Sequence, residues 1–365
     1  MPFSTSFSYA LIASLLAALV IVSTQRLHGH ITLDNHPGVQ KLHMVPTPRV
    51  GGLALFFGAL IGGLSLPADT HWLARTICLS ALPAFVFGLA EDMTKSVGVK
   101  TRLLATVCAG AIFCVMSGYQ ITTVGIPGVD TLLSFWLPSL IFTAIAIGGI
   151  ANAINIIDGV NGLASGTSII ILSGFAIVAW KVGDPQLTAI CLVGIGALGG
   201  FFLLNFPMGK LFLGDAGAYT TGFVLAVIAV ALPQRNPELS PLIGLLALSY
   251  PVTETMVSIH RRSVRKGTHP GQADRLHLHS LVYRSRAKQL ARRIGAPHMR
   301  NALTGLLLLG IPLLSSVLMV EFRNDSLLIV LGIVIVLVLY LAIYRRVALL
   351  PSLSFGLLVP RVRTS

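Results

Sequence analysis

The stretch NAINIIDGVNGLAS, residues Asn152–Ser165, is a polar island in a very apolar chain. It sets Asn152, Asn155, Asp158 and Asn161 beside Gly159 and Gly162, with apolar runs of membrane-spanning length on both sides. An ionisable side chain so close to lipid is costly and marks a functional site by default. Three other islands share this character: Gly88–Arg102 (GLAEDMTKSVGVKTR), Asn205–Gly217 (NFPMGKLFLGDAG) and the long segment His260–Arg300. Fold and function both turn on whether these four meet at one face of the membrane.

Working outward, the 365 residues are 54% hydrophobic and only 11% charged, with a mean hydropathy of +0.83. A soluble globular chain carries roughly 25% charged residues. The chain therefore reads as an all-α integral membrane protein, a single polytopic domain over 1–365. About 11 transmembrane helices fit, near 7–25, 50–67, 72–90, 101–118, 132–151, 163–180, 186–204, 216–233, 240–259, 301–320 and 326–344. A β-barrel would alternate over segments of about 10 residues, and no such pattern occurs. The first span has no basic n-region and no clear cleavage site after it, so it is expected to remain as a span. Cys78, Cys108, Cys114 and Cys191 all lie in apolar runs without a CxxC pair. They read as small buried hydrophobes rather than as disulfide or metal ligands. Gly58/Gly62 and Gly196/Gly200 have the small-xxx-small spacing of helix-packing sites.

Charge then sets orientation. All but four of the 26 basic residues (Arg75, Lys181, Arg235 and Arg323 are the exceptions) fall in loops 26–49, 91–102, 205–215 and 260–300 or in the tail from 345. Positive loops stay in the cytoplasm, which puts the four islands on the cytoplasmic side, the N-terminus outside and the C-terminus inside. The largest cytoplasmic loop is 260–300. The net charge of +13 is explained by such loops and by anionic lipid, with no nucleic acid partner expected.

Of 13 acidic residues, those in the outer loops have no Asn, Gly or His company and read as solvated. The inner ones do have such company. Glu91–Asp92 are adjacent carboxylates that repel unless a cation or proton intervenes. Asp215 precedes a span, where helix capping is an alternative reading. Three carboxylate sites on one face favour a hard cation such as Mg²⁺. On a helix, Asn152, Asn155 and Asp158 share roughly one side, and amides suit a uracil, ribose or sugar. Gly159 and Gly162 should end that helix and put Asn161 in a turn. His277 and His279 form an HxH pair in which phosphate contacts are favoured over zinc. Glu254, inside the ninth span, suits either catalysis or a structural pairing with Arg261 or Arg262. The inventory fits phosphoryl transfer between a soluble diphosphate and a membrane phosphate.

These motifs resemble those of the polyprenyl-phosphate N-acetylhexosamine-1-phosphate transferase family, the glycosyltransferase family 4 type, over the first ten spans. The family's D-x-P-x-x-R-K-x-H and P-R-x-G-G are similar to Lys41, His43, Pro48, Arg49, Gly51 and Gly52, with Gln40 in place of the Arg. Its acid pair is Glu91–Asp92 here. Its N-A-x-N-x-x-D-G-x-D-G-L-A is met by Asn152, Asn155 and Asp158, with Asn161 for the last Asp. Its G-D-x-G is met at Asp215, and its H-x-H-H at His277 and His279, with Ser280 in the last place.

The resemblance implies transfer of an N-acetylhexosamine 1-phosphate of GlcNAc type from a UDP-sugar to polyprenyl (undecaprenyl) phosphate. UMP leaves, and the product starts O-antigen or another envelope glycan in the bacterial inner membrane. Glu91, Asp92 and Asp158 would be catalytic and Asp215 would bind Mg²⁺, with Mn²⁺ as the alternative. Asn152, Asn155 and Asn161 would hold nucleotide or sugar, and Lys41, Arg49, Arg275, His277 and His279 phosphates. Partners would be the UDP-N-acetylhexosamine, the polyprenyl phosphate and membrane lipid, with a homodimer left open. Rival readings are a UDP-MurNAc-pentapeptide transferase, which HLHSL in place of an HHHFE-like string disfavours; a permease or flippase, which predicts mid-bilayer acids and repeats; and a lipid-binding member without turnover.

Overall fold

Proline and amide chemistry at the helix ends, rather than amphipathic stripes, shapes this molecule, because lipid and core are equally apolar. The computed structural model describes residues 2–33, 46–264 and 276–355. Among them every regular element is helical, and the one extended pairing is an isolated bridge between Leu33 and Pro48. In chain order the helices are α1 (Pro2–Ser23), α2 (Gln25–Thr32), α3 (Gly51–Leu64), α4 (His71–Thr94), α5 (Val99–Ser117), α6 (Pro127–Leu133), α7 (Trp136–Ile157), α8 (Leu163–Lys181) and α9 (Pro185–Asn205). Then come α10 (Gly214–Arg235), α11 (Ile243–Ala247), α12 (Ser249–Val264), α13 (Leu278–Val282), α14 (Lys288–Arg293), α15 (Arg300–Leu308), α16 (Gly310–Phe322) and α17 (Ser326–Phe355).

Nine described segments are long and apolar enough to cross a bilayer, two fewer than expected. The span expected at 50–67 is α3, a helix of 14 residues. At 1.5 Å per residue it is about 21 Å long, short of the roughly 30 Å hydrocarbon thickness. The span expected at 240–259 is broken into α11 and α12. Pro251 has no N–H to offer the Ala247 carbonyl four residues back. Ser315 Oγ donates to that carbonyl instead, at 3.3 Å.

Helices α8, α9 and α10 form the buried centre, while α1 and α17 lie at the periphery with most of their surface facing outward. The two small-xxx-small pairs do pack helices: α3 and α9 both grip α1, and Ser14 Oγ donates to the Ala197 carbonyl at 2.6 Å. Cys114 and Cys191 are buried as expected, but Cys78 and Cys108 are exposed, because their helix faces point out of the bundle. The up-and-down run of spans gathers the ends around residues 49–52, 92–102, 155–162, 205–215 and 276–282 at one end of the bundle. The ends around 119, 184 and 235 meet at the other.

Candidate active site

The site is built on the first turn of α10. Gly214 opens it with φ +73°, a conformation natural only to glycine, and a Cβ there would overlap the Arg49 carbonyl. Backbone bonds stitch the Arg49 segment to the approach of α10: Phe212 N–H donates to the Pro48 carbonyl, and Gly51 and Gly52 N–H donate to the Phe212 and Leu213 carbonyls, each at 2.9 Å. Helix α4 comes so close that a Cβ on Gly88 would sit 2.6 Å from Ala216 Cα. That approach delivers Asp92. Its Oδ1 accepts from Asp215 N–H at 2.8 Å and its Oδ2 from Ala216 N–H at 2.9 Å. Two orphan donors of α10 are thus satisfied from another helix, and capping at this position is the work of Asp92, not of Asp215.

The Asp215 side chain is left for other work. It is ion-paired to Arg102, which reaches it from the start of α5. Asn155 Nδ2 donates to its Oδ1 at 3.0 Å, and Arg49 Nη2 lies 3.7 Å from Asp215 and 3.8 Å from Asp92. Oδ2 is the oxygen in contact with the Arg102 guanidinium, whose Nε is buried without an acceptor. The Arg102 guanidinium lies 5.8 Å from the centre of the Tyr219 ring. Tyr219 O–H donates weakly to Asn152 Oδ1 at 3.4 Å.

Asp158 ends α7 as its C-cap residue. It keeps a partly exposed edge, yet it sits deep enough among protein atoms that burial pushes its pKa up to about 7, with Arg49 pulling the other way. Three carboxylates therefore face two guanidiniums. Once Asp158 ionises, the cluster carries excess negative charge. No group of three His, Cys, Asp or Glu among the described residues is arranged to hold a metal by itself. Mg²⁺ seldom needs one, because it is commonly bound through one or two carboxylates plus substrate phosphates and water. Asp215, Asp158 and the Asn155 amide supply the hard oxygen donors such an ion takes, and the nitrogen donors of Asn155, Arg49 and Arg102 now on the Asp215 carboxylate are the contacts it would displace.

The family model for glycosyl transferase family 4 matches residues 74–233, the chain from α4 to α10. The "Probable undecaprenyl-phosphate N-acetylglucosaminyl 1-phosphate transferase" of Bacillus subtilis (strain 168) is 31% identical over 273 residues, which cover 74% of this chain and 75% of the relative. The chain belongs to glycosyl transferase family 4. An undecaprenyl-phosphate alpha-N-acetylglucosaminyl 1-phosphate transferase of Salmonella typhi is 28% identical over 287 residues, 77% of each chain. One of the same name in Escherichia coli (strain K12) is 26% identical over 282 residues, 74% of each chain. The resemblance read from the motifs is borne out.

Within this family 4 chain, Arg49, Asp92, Asn152, Asn155, Asp158 and Asp215 come together as the motifs required. Lys41 and Arg275 lie outside the described residues. Glu91 stands one residue from the cluster but turns to its own loop, where Val97 N–H donates to Oε2 at 2.8 Å. Asp92 is 1% exposed with both oxygens engaged, so it holds the backbone of Asp215 rather than presenting a free carboxylate. Asn161 is also buried. Its Nδ2 donates to the Pro207 carbonyl at 3.0 Å, and its N–H donates to Asn301 Oδ1 at 2.6 Å. The amide thus ties the turn to the end of α9 and the start of α15.

His279 packs its Nε2 edge on Gly159, beside Asp158, and stacks on His277 with ring centres 5.5 Å apart. Burial lowers the His279 pKa to about 4, aided by His277 and Arg284 and opposed by Glu254, so the ring is neutral at pH 7. Glu254 pairs with His277 and not with Arg261 or Arg262: His277 Nδ1 lies 2.9 Å from its Oε1.

Reading the motifs missed Arg102, Tyr219 and the Glu254–His277 pair. Arg102 closes one of the polar islands, which was its signal. Tyr219 lies four residues after Asp215, the spacing that puts two side chains on one helix face.

Proposed function

We infer that this chain transfers an N-acetylhexosamine 1-phosphate, of GlcNAc type, from its UDP-sugar to undecaprenyl phosphate. A phosphate oxygen of the acceptor attacks the β-phosphorus of the donor. One P–O bond forms, the bond to UMP breaks, and a polyprenyl-diphosphate-sugar and UMP result. The observation that carries this reading is the convergence of Asp215, Asp158, Asn155, Arg49 and Arg102 on one helix start at the end of a membrane bundle. The activities in the names of the relatives support it.

Asp215 and Asn155 would hold Mg²⁺, or Mn²⁺ in its place, and the bound ion would neutralise diphosphate charge. Arg49 and Arg102 grip phosphate oxygens, a role that suits the planar guanidinium. Asn152 and Asp158 face the nucleotide or sugar. The acceptor needs little help with its proton, since a phosphate monoester has its second pKa at about 6 and is largely dianionic at pH 7. Glu91 and Asp92 then orient the site rather than act as bases. The imbalance of Lys and Arg between loops supports a site on the cytoplasmic side, with the N-terminus outside. The product would start O-antigen or another envelope glycan.

The test is extraction of labelled lipid product from purified protein given undecaprenyl phosphate, Mg²⁺ and, in turn, several UDP-N-acetylhexosamines. Label in the lipid phase with one donor, and none without Mg²⁺, supports the reading and names the sugar. Label from UDP-MurNAc-pentapeptide alone would move the chain to the peptidoglycan branch, and no label from any donor would sink the reading.

A further inference from the structure

Glu254 on α12 is 1% exposed, and one carboxylate this deep gathers three donors from two other segments. Its Oε1 takes His277 Nδ1 at 2.9 Å, Leu278 N–H reaches Oε1 and Oε2 at 3.2 and 3.3 Å, and Tyr340 O–H donates to Oε2 at 2.7 Å. A carboxylate can only accept here, so the proton between it and His277 sits on Nδ1. Beside it, Arg261 donates to the Leu276 carbonyl at 3.1 Å and to Tyr344 O–H at 2.7 Å, fixing the entry to the same segment. The His277 ring then stacks at 5° on His279, whose far edge rests on Gly159 next to Asp158. A continuous train of contacts thus runs from α17 through Glu254 and the two imidazoles to the turn that carries Asp158.

We propose that Glu254 is the positioning residue of the HLH segment. By accepting the hydrogen bond from His277 Nδ1 it fixes the ring, and Nε2, which donates to a phosphate oxygen only in the imidazolium form, is the nitrogen left to meet the substrate. The assignment rests on the transferase reading and adds to it a residue beyond the 74–233 match. Tyr340, completely buried on the last span, is part of the same device because its O–H tempers the negative charge that His277 sees. Around the HLH segment stand Glu254, which meets the His277 ring; Tyr340, which meets Glu254; Arg261 and Tyr344, which bond the Leu276 carbonyl; and Arg284, near His279.

The test follows UMP release for wild type, Glu254→Gln, His277→Gln, the double variant and Tyr340→Phe. Glu254→Gln keeps the shape but removes the charge. Turnover should fall about 10- to 100-fold, the usual loss when a histidine's orienting partner is removed. His277→Gln should lose at least as much, and the double variant should be no worse than His277→Gln, because the carboxylate acts only through that ring. Tyr340→Phe removes one of the donors on Glu254 and leaves the His277 contact. It should lose less than Glu254→Gln, and it keeps the test open if Glu254→Gln does not fold. An active wild type with a Glu254→Gln variant that turns over as fast, a Tyr340→Phe variant that loses as much as His277→Gln, or losses that multiply in the double variant, would overturn this assignment alone. A wild type silent with every donor would overturn it together with the transferase reading.

Discussion

Helix α10 carries an aspartate–arginine cluster at each end, and the two are finished differently. At its last turn, Arg235 clasps Asp184 through Nε at 2.6 Å and Nη2 at 3.0 Å. The same guanidinium reaches Gln186 Oε1 at 3.0 Å and Tyr119 O–H at 3.1 Å. Asp184 also takes Leu187 N–H at 3.1 Å, capping α9. Burial alone would raise the Asp184 pKa, but the bonds from Arg235, Leu187 and Asn236 outweigh it and leave the carboxyl below its ordinary value. At the first turn, by contrast, three carboxylates share two guanidiniums, the buried Arg102 Nε lacks an acceptor, and burial raises the Asp158 pKa to about 7. The cluster at the last turn has spent its bonding capacity on joining the end of α5 to α9 and α10. The one at the first turn keeps a carboxylate in excess, which suits a site whose partners come and go. Chemistry of one kind serves architecture when saturated and function when left open.

Exchanging the loss between the two ends breaks the comparison most sharply. Asp215→Asn should lower UMP release about a thousandfold, the scale for removing a group that stabilises transition-state charge, while lowering the melting temperature less than Asp184→Ala does, because Asp92 and Asp158 remain beside Arg49. Asp184→Ala should do the reverse. It leaves the part-exposed Arg235 without its counter-ion and α9 without its cap, which shows as a lower melting temperature, while the rate per folded molecule stays within about twofold of wild type.

Asp158 adds a pH dependence to the inner end alone. Its folded pKa of about 7 lies above the ordinary carboxylate value of about 3.9. The folded protein therefore binds the proton more tightly than the unfolded chain does. That contribution to stability is complete below about pH 4 and is lost as pH rises through 7. Melting temperatures without substrate should fall between pH 5 and 8, and Asp158→Asn should remove that part of the slope. The smallest change expected is Asn161→Asp, which restores the family's usual residue yet deprives the Pro207 carbonyl of its donor. It should cost about 1–3 kcal/mol in chemical denaturation, the range for a buried acceptor left without its donor, instead of rescuing activity.

Much of the inner end was legible in the chain before any coordinates. The three-residue spacing of Asn152, Asn155 and Asp158 gives a shared helix face, and the Lys and Arg bias sorts loops to one side. Those two patterns suffice to bring Arg49, Asp92 and Asp215 near them. Side alone, however, does not choose partners. Which carboxylate Arg102 meets, and whether Glu254 finds Arg261 or His277, depends on helix rotation and depth, which a one-dimensional pattern does not carry. Asp184 looked like a solvated loop residue because its partner Arg235 is 51 positions away, across two spans. Asp130 likewise looked idle, yet it accepts Val124 and Gly125 N–H at 2.7 and 3.2 Å. The ninth span breaks ahead of Pro251, whose missing N–H does not register in a sum of apolar residues.

The most direct test of the account measures UMP release and melting temperature side by side, with undecaprenyl phosphate, UDP-GlcNAc and Mg²⁺, for wild type, Asp215→Asn and Asp184→Ala. The account predicts an active wild type, a stable but inactive Asp215→Asn, and an unstable Asp184→Ala that turns over normally at temperatures where it is folded. An Asp215→Asn protein that releases UMP at the wild-type rate would contradict it.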